Sequence, residues 1–127
     1  MFVRKDLTPS QIAVQSCHAA IEAARNGLIP SDIEHPHLVL IGCQNLPALL
    51  KVRSKLRTLK IHHKDFIEPD IGNQVTAIAT APLSGDSRKH FKQYTLLNFG
   101  QHVSSPSMVD GNSNPFDRRD TMDSVCN

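Results

Sequence analysis

Five polar side chains near the start of the chain, Gln11, Gln15, His18, Glu22 and Arg25, recur at spacings of four, three, four and three residues. On a helix that spacing sets all five on one face. Such a stripe is either a solvated surface or one wall of a site. Its middle, Gln15 and His18, lies among alanines, where a purely solvated face would more typically carry Lys and Glu. Histidine is also the side chain best suited to acid–base work near neutral pH.

Two other groups of residues carry potential chemistry. The stretch Glu68-Pro-Asp70-Ile-Gly72-Asn73-Gln-Val-Thr76 contains Pro, Asp, Gly and Asn, which turns use for backbone reasons alone. It also offers two carboxylates and a strand threonine at the end of a sheet, where α/β folds place ligands. Between residues 51 and 64, six cations (Lys51, Arg53, Lys55, Arg57, Lys60 and Lys64) occur with no carboxylate, and His62 and His63 extend the run. A merely solvated face normally interleaves both signs, so this bias points to a phosphate-bearing partner. With one Tyr and no Trp a base-stacking platform is poorly supplied, and backbone or shape recognition of folded RNA fits better.

A metal site is not indicated. Pro36 stiffens the His35–His37 pair, adjacent strand residues such as His62 and His63 point to opposite faces, and no Cys pair completes a tetrahedral set. Nucleotide-binding and nucleophile-elbow motifs, G-x-G-x-x-G, Walker A and G-x-S-x-G, are missing from the sequence.

The elements that must position these residues follow from periodicity. Met1–Arg4 reads as a first strand. Thr8-Pro-Ser-Gln11 is a helix start in which Thr8 caps, Pro9 suits the first turn and Gln11 completes a capping box. That helix should run to about Asn26 and stop at Gly27, with enough alanine to lie close on a sheet. After a polar connection from Pro30 to Pro36, His37–Cys43 is a continuous apolar run expected to be a strand buried on both faces. A second helix is expected from Asn45 to about Leu59, a third strand over Ile61–Ile67, a turn over residues 68–73 and a fourth strand over Val75–Ala81. Ser84-Gly-Asp should open a short helix containing Phe91, Tyr94, Leu96 and Leu97. The alternation predicts an α/β fold, a three-layer domain with a four-stranded mixed sheet flanked by helices.

Composition sets the frame. A chain of 127 residues is one domain with a core of reasonable size. Residues 1–99 form the expected domain and residues 100–127 a polar, aperiodic tail. The tail beyond Gly100 carries a net charge of −2, which leaves residues 1–100 at +4. No run reaches the roughly 18 apolar residues of a membrane helix, and the MFVRKD start lacks the apolar core of a signal peptide. Cys17, Cys43 and Cys126 are an odd number without C-x-x-C spacing; Cys17 and Cys43 read as small buried hydrophobes and the expected compartment is the reduced cytoplasm.

The segment V-R-K-D-L…I-A-V-Q-S-C-H-A-A resembles the N-terminal signature of the type 2 peptidyl-tRNA hydrolase family, approximately V-R-x-D-L-x-M-x-x-G-K-x-A-A-Q-x-x-H-A. The order of elements agrees over residues 1–98, and so does a later acidic turn followed by Gly, Thr and an apolar strand, here Glu68 to Ala81. Arg4, Asp6, Leu7, Ala13, Gln15, His18, Ala19 and Thr76 are the matching positions. Two departures stand out. The family's lysine-bearing Gly-Lys stretch is shortened here to Thr8-Pro-Ser-Gln11, with Gln11 in the nearest place, and the family's Arg-Thr pair after the acidic turn is missing.

The resemblance implies a compact α/β domain, often dimeric, that cleaves the ester joining a peptide to tRNA without metal or nucleotide cofactor. Glu68 or Asp70 would orient or deprotonate a water; His18, Gln15 and Thr76 would position the carbonyl or donate to its oxygen. Arg4, Lys5, Gln11 and the cations from Lys51 to Lys64 would meet tRNA phosphates. The other expectation is a non-catalytic tRNA- or RNA-binding or adaptor domain that keeps the same fold after losing the lysine.

Overall fold

The structure, a computed structural model, describes residues 1–98. The tail assigned to residues 100–127 lies outside the described residues. In chain order the elements are β1 (Phe2–Arg4), α1 (Pro9–Arg25), β2 (Ile41–Cys43), α2 (Leu46–Thr58), β3 (His63–Glu68), a single 3-10 turn (Pro69–Ile71), β4 (Gln74–Thr80) and α3 (Asp86–Lys89).

Both long helices start and stop where local chemistry dictates. At the head of α1, Thr8 Oγ1 accepts from the Gln11 N–H at 3.2 Å and Gln11 Oε1 accepts from the Thr8 N–H at 3.0 Å, a reciprocal capping box. At its foot Gly27 takes φ of +74° and the Leu28 N–H reaches back to Ala23 O at 3.0 Å. The Asn45 side chain caps α2 by accepting from the Ala48 N–H at 3.0 Å. The other end of α2 closes in the same way as α1, except that Lys60, not glycine, holds the left-handed position at φ +58°. Its N–H donates to Arg57 O, and the Ile61 N–H donates to Leu56 O at 2.9 Å.

The sheet order is β2-β1-β4-β3, with β1 and β2 parallel and the remaining pairs antiparallel. This is the four-stranded mixed sheet expected from the alternation. Helix α1 lies over β3 and β4 on one face and α2 over β4, β1 and β2 on the other, giving three layers. Residue alternation divides the core accordingly. Phe2, Val75 and Ile78 pack with Leu49, Val52 and Leu56 of α2; Val3, Ala77 and Ala79 pack with Ile12, Ala19 and Ala23 of α1.

Val75 and Ala77 are two residues apart on one strand yet face opposite sides, which a regular ladder forbids. The cause is a register step between β3 and β4. Phe66 pairs with Ala77, but the next residue, Ile67, pairs with Val75, so Thr76 has no opposite partner. This bulge turns Thr76 as well as Ala77 toward α1.

Several boundaries differ from expectation. The run 37–43 forms a strand only over Ile41–Cys43, and it is an edge strand; Leu38 is 76% exposed and Val39 44%. A continuous apolar run therefore does not signal burial on both faces here. β3 begins at His63, because Ile61 is used to close α2. The last helix stops at Lys89. Phe91 and Tyr94 follow in turns, and Leu96 bridges Ile41 while the Leu97 N–H donates to Leu40 O at 2.9 Å, covering the outer edge of β2. Cys43 is buried, and desolvation pushes its thiol up to about 11, whereas Cys17 is exposed on α1.

Two stability outcomes follow. Lys60→Gly removes a left-handed penalty and should raise unfolding free energy by up to about 1 kcal/mol, since glycine's larger unfolded-state entropy offsets part of the gain. Leu56→Ala, at a fully enclosed position, should lower it by about 2–5 kcal/mol. Urea melts of each variant against wild type measure both.

Candidate functional site

The site is assembled across the α1–β3–β4 face by one buried amide. Gln15 is 4% exposed, the first polar residue along α1 to be enclosed. The Thr76 hydroxyl, itself fully buried, donates to Gln15 Oε1, and Gln15 Nε2 donates to Glu68 Oε2 at 2.7 Å. Because the ionised carboxylate can only accept, the amide has only one satisfactory orientation, with its N–H groups toward Glu68 and its oxygen toward the Thr76 hydroxyl. The other Glu68 oxygen, Oε1, accepts from the Asp70 N–H at 3.2 Å. Gly72 and Asn73, both at positive φ (+63° and +57°), then reverse the chain into β4. Thus the 3-10 turn and the bulge together fix a carboxylate over the first half of α1.

Donors on both oxygens favour the charged form. The Gln15 hydrogen bond first, the Asp70 backbone N–H second and the nearby His18 charge last hold the Glu68 carboxyl below the ordinary value of 4.5. An open cleft of about 290 Å³ lies in front of it, lined by Ser10, Gln11, Val14, Gln15, Glu68, Asp70 and Ile71. Its lining holds two carboxylates and no cation. Gln11 spends its Oε1 on the helix cap, and no hydrogen bond engages its amide nitrogen among the described residues.

His18 stands one turn beyond Gln15, exposed to solvent, with its ring flat against Phe66 of β3 at a centroid distance of 4.5 Å and 7° from parallel. Phe66 is the residue that reading the sequence missed. The available signal was its place two before Glu68 on a strand, which sets both on one face.

The expected residues therefore divide. Gln15, Glu68 and Thr76 form one hydrogen-bonded chain, with Gln11 and Asp70 on the cleft wall and His18 beside it. Gln15 and Thr76 are both enclosed, and their side-chain hydrogen bonds run from Thr76 to Gln15 and from Gln15 to the Glu68 carboxylate. Arg4 is 8% exposed; it grips Asp6 with two hydrogen bonds at 2.8 and 2.9 Å and Gln74 Oε1 at 2.7 Å. That pair holds the Asp6 carboxyl below its usual range, and Arg4 has little left for a phosphate. Lys5 is exposed, and its stem runs across Gly42, where a Cβ would sit 2.5 Å from Lys5 Cδ.

No protein-family model matches the chain, and no curated protein is significantly similar to it. Its residues alone must therefore carry any functional reading.

The basic run is not one surface. Arg53 is paired with Asp65 at 3.1 Å, and Lys55 donates to His90 O at 2.6 Å while lying 5.2 Å from the Phe91 ring and 5.1 Å from the Tyr94 ring. Lys51 and Lys55 occupy one flank of α2; Arg53 and Arg57 occupy the other. Arg57 and Lys64 line a second open cavity of about 330 Å³ with His63, Asp65 and Ile67. Lys51, Arg57 and Lys60 are exposed. Among the described residues no helix is long and apolar enough to cross a membrane.

Thr76→Val keeps the shape but leaves Gln15 Oε1 buried without a donor; urea melts should show a loss of about 1–3 kcal/mol. Gln15→Leu removes the main donor to Glu68, so its carboxyl should titrate higher, toward 4.5. Carboxyl-carbon NMR across an acid titration measures this. The sign for stability follows. A lowered folded-state value gives stability that is present above the ordinary value and lost as pH falls through the folded one. Gln15→Leu should flatten that acid limb.

Proposed function

We propose that this chain is a divergent relative of the type 2 peptidyl-tRNA hydrolases and hydrolyses an ester between tRNA and a peptide or N-blocked amino acid. One observation carries the reading. The two separated segments that resemble the family meet in space, joined by the chain from Thr76 through Gln15 to Glu68.

The chemistry assigned to each residue follows from its surroundings. Glu68 is ionised at neutral pH and retains lone pairs beyond those used by Gln15 and Asp70, so it can accept a proton from a water in the cleft. A carboxylate with a lowered pKa is a weak base; its main contribution is to orient the attacking water, which suffices for an intrinsically labile ester. Gln15 and Thr76 are positioning residues. The developing oxyanion needs donors, and Gln11 Nε2 and the Ser10 hydroxyl are the neutral candidates on the wall. Exposed Lys51, Arg57 and Lys60, with half-buried Lys64, would hold phosphates at a distance from the cleft.

The same cleft favours a second reading. A wall with two carboxylates and no cation repels phosphates and supplies no positive charge to an oxyanion, as a tRNA-binding adaptor without catalysis would tolerate.

Incubation of purified protein with N-acetyl-aminoacyl-tRNA separates the two. Release above background is expected, falling on the order of 10²- to 10⁴-fold in Glu68→Ala. Salt-sensitive tRNA binding with no release selects the adaptor; release unaffected by Glu68→Ala removes the assignment of the site.

A further inference from the structure

His18 is exposed, yet one face of its ring is occupied. The imidazole lies on Phe66, nearly parallel at 4.5 Å, so the solvent-exposed surface belongs to the outer face and the edges. Phe66 is itself half-buried, packed against the core beneath α1. The ring of His18 therefore lies on a backing that is itself packed into the fold. A planar ring joining the stack from outside meets a surface already ordered, and little further rotamer freedom is lost.

The seat is also placed usefully. Phe66 and Glu68 leave the same face of β3, about 7 Å apart along the strand. His18 is near enough to Glu68 for its charge to favour the carboxylate. A ring on His18 and a group in front of Glu68 are thus separated by about the span of one nucleoside. Stacking needs no cation, which suits a cleft whose lining has none.

We infer that His18, backed by Phe66, is a stacking seat for a nucleobase, and that it holds the last base of an RNA strand beside Glu68. The assignment to the strand's end rests on the ester-hydrolase reading, in which the scissile ester is carried by the ribose of the terminal nucleoside. Base and reacting carbonyl then belong to the same nucleotide and must be bound within that span. His18 here acts through its face; a neutral imidazole serves, and protonation adds a charge to the contact.

The test uses the full chain. Adenosine 5′-monophosphate and, separately, ribose 5-phosphate are titrated in while the ring protons of His18 and Phe66 are followed by NMR. The expected result is an upfield movement of His18 Hδ2 and Hε1 with the nucleotide and none with the sugar phosphate. His18→Ala should weaken nucleotide binding about tenfold, and His18→Phe, which keeps a flat ring and loses titration, should restore it. His18 is exposed, so neither change threatens folding. Unmoved ring protons, an equal response to ribose 5-phosphate, or a His18→Phe protein that behaves like His18→Ala overturns the inference. Hydrolysis measured on the same samples separates the two readings. Ring shifts without hydrolysis keep the seat and remove the enzyme; hydrolysis without ring shifts keeps the enzyme and removes the seat.

Discussion

An amide side chain enclosed between a helix and a sheet is unfavourable unless both of its ends are bonded. Gln15 meets that condition through Thr76 on one side and Glu68 on the other. The constraint reaches in both directions. Toward the core, it requires a hydroxyl at a position of β4 where alternation would put the side chain out of line with its neighbours, and the register step at Thr76 provides it. Toward solvent, it requires an acceptor, and the carboxylate that serves is the one at the mouth of the cleft. Packing and site are therefore coupled through one side chain.

Charge is arranged in two separate zones. The cleft over the start of α1 is acidic, while Lys51 and Arg57 of α2 and Lys60 just beyond it are exposed, and Arg57 and half-buried Lys64 line a different cavity. A polyanion approaching this surface is attracted to one zone and repelled by the other. On the proposed reading, a long, negatively charged substrate would rest its backbone on the basic flank while only a small, less charged end enters the cleft. Bonding within the fold reduces the attraction: Arg53 is ion-paired with Asp65, and the Lys55 ammonium is held by the His90 carbonyl.

Local signals were legible where they depend on neighbours in the chain. The Thr8–Gln11 capping box, the Asn45 cap, the Gly27 stop and the tight turn at Gly72–Asn73 all follow from residues within a few positions. So did the strand–helix alternation and the mixed sheet. What failed depends on tertiary context. Leu38 and Val39 look like a buried strand until the sheet edge leaves them uncovered, and Cys17 looks like core until the helix turns it outward. Six cations close in sequence look like one block, because sequence adjacency hides the helical angle that splits Lys51 and Lys55 from Arg53 and Arg57. Gln15, Glu68 and Thr76 were found as types, but their order in the hydrogen-bonded chain was not. That order depends on a register step that no single-residue preference announces.

The register step also bears on how such a site can be gained or lost. Val75 and Ala77 already face the two sides that adjacent residues of a regular strand would face, so the ladder would close smoothly without Thr76. The threonine is in this sense an added residue, carried by a sheet that does not need it for pairing. One codon deleted there leaves a scaffold with its core alternation intact and its buried amide unheld. Strand pairing is thus indifferent to this one position of β4, and the buried amide alone depends on it.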